Sequence, residues 1–172
     1  MTTHSNHTFV LEGVSPDRAL EVLSSAAFEV AQQVERSGTQ SARVEPMPAE
    51  EGFRTYALHA VEYGRGFRGI DTSTTVETVT TVHWDCRKRR GTWSYQGSQA
   101  RLAKVWGSTQ IEPHDSGCRV TFRYHMEIAL PLVGRRIEAF LIGVLDRHMR
   151  DHVERLAHQM CGAKPPNLSH EG

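Results

Sequence analysis

His148 and His152 stand four residues apart in the segment GVLDRHMRDHVERL. On an ideal helix both imidazoles fall within ~20° of Leu141, in the middle of its apolar stripe rather than at its edge. Two histidines one turn apart can share a metal ion. A third ligand is then needed, and no HExxH motif or neighbouring carboxylate supplies one, so no metal is expected. Contact with the polar atoms of a bound ligand is a second role, and proton transfer on that ligand together with Tyr124 is a third. The plainest role is a pair of core histidines satisfied by hydrogen bonds. A general base needs both a partner and a substrate pose, and the sequence provides neither. No Ser-His-Asp order, glycine-flanked serine or paired carboxylates stand out from the background of the chain, so no catalytic residue is assigned and no cofactor is expected.

Two other stretches imitate functional motifs. GRGFRG, Gly64 to Gly69, matches GxGxxG, but a dinucleotide site needs a helix directly after the glycines. Here the β-branched run IDTSTTVETVTTV follows, which predicts a hairpin loop, with the mouth of a cavity as its sharper alternative. CRKRRG, Cys86 to Gly91, reads as a solvated basic turn that could also meet an anionic headgroup.

The elements that must position these residues follow from periodicity. Cys118, Val120, Phe122, Tyr124, Met126, Ile128 and Leu130 alternate with mainly polar residues, the pattern of a strand with one dry face. Thirteen such residues span roughly 44 Å. From Gly134, Ile137, Phe140, Leu141, Val144, Leu145, Met149, Val153, Leu156 and Met160 form one helical stripe about 40 Å long. Asp146 with Arg150 and Asp151 with Arg155 are spaced as favourable pairs on its polar side. Earlier in the chain, THSNHTFVLEG predicts a first strand with Phe9 and Leu11 on one side. Ser15-Pro16 starts one helix or two short ones ending near Gly38. Between Thr39 and Leu130 six strands are expected with no helix between them, hence an antiparallel meander.

Composition narrows the field further. The chain has 172 residues with 20 basic against 20 acidic side chains, which argues against a nucleic-acid partner. No apolar run reaches the ~18 residues of a spanning helix, and the first ten residues lack the regions of a signal peptide. Cys86, Cys118 and Cys161 have no metal-type spacing and read as reduced thiols, so a cytoplasmic location is expected. One domain over residues 1–161 is expected, with a disordered tail at 162–172.

The element order and the segment MEIALPLVGRRIEAFLIGVLDRHMRDHVERL resemble the START-related helix-grip superfamily, which includes the birch pollen allergen and the polyketide cyclases. Within it, PLVG followed by RIEAF is similar to a bacterial branch classed only as a domain of unknown function. The resemblance implies an α+β fold: a curved seven-stranded antiparallel sheet wrapped around a long C-terminal helix, with one or two short helices after the first strand. It also implies a tunnel between sheet and helix that holds an apolar or aromatic molecule. Candidate lining residues are Trp93, Tyr95, Trp106, Phe122, Tyr124, Met126, Leu141, Leu145, His148 and His152. Trp106 is awkward, because turning it inward also turns Lys104 inward. The expected function is binding, transport or sensing of a hydrophobic small molecule or lipid. Two alternatives stay open: a cyclase- or dehydratase-type enzyme, and a partner-binding domain with a filled core. A homodimer through an outer aromatic face is a further possibility.

Overall fold

The computed structural model describes residues 2–35, 38–66, 69–97, 103–128, 143 and 151–160. The expected tail at 162–172, the first part of the last helix's apolar stripe and Leu130 lie outside the described residues.

Strand β1 (Thr2–Glu12) stops at Gly13, whose φ of 74° reverses the chain and lets its N–H donate to the Ser116 carbonyl at 2.7 Å. Ser15 then caps helix α1 (Pro16–Leu23): its Oγ accepts from the Arg18 N–H at 3.2 Å, and Pro16 loses nothing at the first helical position. The Ser24-Ser25 pair ends this helix and starts α2 (Ala26–Glu35), with Ser25 Oγ accepting from the Phe28 N–H at 3.3 Å. Short polar side chains compete for backbone groups, so two serines in succession break one helix into two.

Six strands follow: β2 (Thr39–Pro46), β3 (Phe53–Gly66), β4 (Gly69–Asp85), β5 (Arg90–Gln96), β6 (Ala103–His114) and β7 (Gly117–Ile128). Together with β1 they form one antiparallel sheet in the order β1-β7-β6-β5-β4-β3-β2. Every pair except β1–β7 joins consecutive strands, as a meander requires. Gly66 pairs with Gly69 across β3 and β4, and the residues that follow the last glycine are strand rather than helix. The basic turn at 86–89 is organised by Asp85, whose carboxylate accepts from the Arg87 and Lys88 N–H groups at 3.1 and 3.0 Å. Arg89 takes a left-handed φ of 50° there and bonds Asp17 of α1 at 2.8 Å.

A last helix, α3, covers residues 151–160. Its Val153, Leu156 and Ala157 are buried in the same core as Ala19, Val22 and Leu23 of α1 and Phe28 of α2. The sheet contributes Phe9, Leu11, Tyr56, Val82, Trp84, Ile111, Cys118, Val120 and Phe122. Burying each large apolar side chain is worth ~1.5–3 kcal/mol, enough to hold the helices on one face of the sheet. Arg155 lies 4.0 Å from Glu35 of α2, a link between helices. Cys86 carries a free thiol. Among the described residues, no helix is long and apolar enough to cross a membrane.

Candidate functional site on the helix side of the sheet

Register decides which side chains face the helices. Residues paired across neighbouring strands share a face. Phe122 pairs with His7 and Thr109, Tyr124 with Ser5 and Gly107, and Met126 with Thr3 and Val105. Gly107 pairs with Trp93, and Val105 with Tyr95. One continuous surface therefore carries Trp93, Tyr95, Phe122, Tyr124 and Met126; the last three were expected on the inner face of β7, and register puts Trp93 and Tyr95 beside them. The buried Phe9 and Val120 of the same face connect it to the core.

Glycine shapes this surface. A Cβ on Gly107 would stand 2.5 Å from Cζ2 of Trp93, so the indole lies flat on the backbone of β6. Trp84 lies over Gly91 in the same way, with ring atoms 2.7–2.9 Å from where a Cβ would be. Glycine within a strand costs stability and is found where another group approaches closely. Trp93 then meets Tyr124 edge-on, with ring centroids 5.3 Å apart. Trp93, Tyr95 and Tyr124 remain half-buried, whereas Phe122 and Met126 are buried.

His152 of α3 meets this surface. Its ring centroid is 5.8 Å from Phe122 and 6.0 Å from Phe28, and it is half-buried. Leu141, Leu145 and His148 lie outside the described residues. Trp106 is a correction: it pairs with His125 and Ser94, on the opposite face of the sheet, and stacks on His125 with centroids 5.5 Å apart at 15°. Lys104 shares that face, so the awkward parity in β6 is resolved by turning both outward.

His7 belongs to the site and was missed. It pairs with Phe122, its ring is 6.3 Å from Tyr124, and its Nε2 lies 2.9 Å from Ser5 Oγ. The signal was present in the alternation Ser5-His7-Phe9-Leu11, but the polar residues on both sides of it hid the face. The arrangement is an aromatic surface with imidazole and phenol groups at its half-buried end. Such a surface binds flat or chain-like apolar groups and offers a few orienting hydrogen bonds. Among the described residues, no three His, Cys, Asp or Glu side chains are grouped to hold a metal.

A family model described as "Protein of unknown function (DUF2505)" matches residues 7–158. The chain belongs to this family. The fold of this DUF2505 chain is the helix-grip fold, as solved structures show. Truncated norcoclaurine synthase from Thalictrum flavum superposes with a TM-score of 0.66 at 12% identity, covering 95% of this chain and 96% of that one. A conserved protein from Geobacillus kaustophilus gives 0.62 at 12% identity, with 98% and 99% covered. The Zhui aromatase/cyclase from Streptomyces sp. R1128 gives 0.60 at 14% identity, with 91% and 92% covered. Among curated proteins, none matches the DUF2505 chain in sequence.

Proposed function

We propose that this DUF2505 protein binds a hydrophobic small molecule or lipid between the inner face of the sheet and the C-terminal helix, as a carrier or sensor. The observation that carries this reading is the half-buried aromatic surface of Trp93, Tyr95 and Tyr124, with the Trp93 indole flat on Gly107, on the helix side of the sheet. A core built only for packing gains by closing over such rings, because each Å² of apolar surface left wet forgoes about 25 cal/mol. Structural kinship with an aromatase/cyclase and a norcoclaurine synthase supports a fold suited to aromatic ligands.

The second reading is an enzyme of the cyclase or dehydratase type, favoured by His7 and His152 both neighbouring Phe122, the first across the strand pair and the second by ring contact. Imidazoles beside a bound apolar substrate are placed to move protons, given a suitable pose. Thermal melting against fatty acids, sterols and aromatic polyketides tests the binding reading. A ligand at 100 times its Kd raises stability by ~2.7 kcal/mol. That shift is expected for at least one class, and a flat response to all three would contradict it. Turnover lost in both His7→Ala and His152→Ala, on a ligand so found, would move the protein to the second reading.

A further inference from the structure

A separate groove of about 630 Å³ lies where the α1–α2 link passes the β2–β3 edge of the sheet. Val44, Pro46, Met47 and Phe53 form its apolar wall, and Ser24, Ser25 and Arg54 its polar end. The Arg54 guanidinium donates through Nη1 to Ser24 Oγ at 2.7 Å, and no carboxylate among the described residues pairs with it. Glu21, at the rim, is held by Arg18 at 2.7 Å. The N-terminus of α2, with its positive dipole end, opens onto the same polar end.

Tyr56 is the second observation. It lines the groove, is 4% exposed, and its hydroxyl has no hydrogen-bond partner among the described residues. An unsatisfied buried hydroxyl costs about 1–3 kcal/mol, so a site normally supplies an acceptor. Burial, reinforced by nearby Glu29 and opposed by Arg54, holds the phenol far above its ordinary pKa.

We propose that this groove is a second binding site, distinct from the aromatic surface, for a small amphipathic monocarboxylate. Its carboxylate accepts from Arg54 and Tyr56, and its apolar body lies along Val44, Pro46, Met47 and Phe53. One unmatched guanidinium suits one negative charge. A phosphate dianion would leave net negative charge beside Glu21 and Glu29.

Octanoate is the probe, with octylammonium and inorganic phosphate as comparisons, titrated into the isotope-labelled full chain and followed by NMR. Octanoate should saturably shift the amide signals of Ser24 to Ala26 and the Arg54 Nε–Hε signal, while the other two leave them in place. Arg54→Gln should weaken that affinity about tenfold or more. Met47 is 42% exposed, so Met47→Glu leaves the fold and the Arg54–Ser24 bond intact and should weaken it several-fold by repulsion. The proposal is overturned if octanoate moves only the signals of Trp93 and Tyr124, if phosphate saturates the site as readily, or if both variants bind like the parent chain.

Discussion

The indole of Trp93 rests on the backbone of Gly107, with Cζ2 2.5 Å from where a Cβ would stand. The relation is cross-strand: β5 supplies the ring and β6 the bare backbone beneath it. Any side chain at Gly107 also collides with the Arg123 carbonyl of β7. Gly107→Val should therefore cost about 2 kcal/mol or more and tilt the indole away from Tyr124. Urea unfolding reads the first effect, and a changed tryptophan emission maximum in the folded protein reads the second.

Phe122 joins strand and helix, touching Phe9 with centroids 6.3 Å apart as well as His152. Phe122→Ala should destabilise the fold by about 3–5 kcal/mol, as large-to-small core changes do. His152→Ala should cost less, and the double variant should show coupling of about 0.5–1.5 kcal/mol. Additive losses in a urea-unfolding cycle would deny the contact an energetic role.

The two outlying tryptophans separate the faces. Trp93→Ala should abolish or strongly weaken uptake of the hydrophobic ligand. Trp106→Ala, on the far side of the sheet with His125, should leave its Kd unchanged. Ligand titrations of the two variants check both outcomes.

Much of this was legible in the sequence because alternation is a strong signal where one face is uniformly apolar. Cys118 to Met126 announced both β7 and its inner face, and Ser15-Pro16 announced α1. Face assignment failed where alternation is mixed. In β6, Trp106 and Lys104 have the same parity, and only pairing with His125 and Glu127 of β7 turns them outward. His7 was illegible for the opposite reason: polar residues flank it on both faces, and its pairing with Phe122, 115 positions later, places it. The groove beside Tyr56 joins β2, β3 and the α1–α2 link, segments whose proximity no local pattern encodes.

Asp85 predicts a response to acid. Backbone N–H donation from Lys88, with the Lys88 charge and further bonds from Lys88 and Arg87, holds its carboxyl below the ordinary value of 3.8. A depressed folded-state pKa means the contribution is complete above the unfolded value and is lost as pH falls through the folded one. The 86–89 turn should thus hold its geometry at neutral pH and loosen only below about pH 4. Asp85→Asn should remove this acid sensitivity, as read from the Arg87 and Lys88 amide shifts during an NMR pH titration.

Native mass spectrometry of the protein purified without detergent, followed by organic-solvent extraction, tests most directly whether the inner face holds a ligand. The expected spectrum shows an adduct of one apolar molecule that is lost in Trp93→Ala and retained in Trp106→Ala. A bare protein mass, with nothing apolar in the extract and no adduct after incubation with fatty acids, sterols or polyketides, would contradict the account.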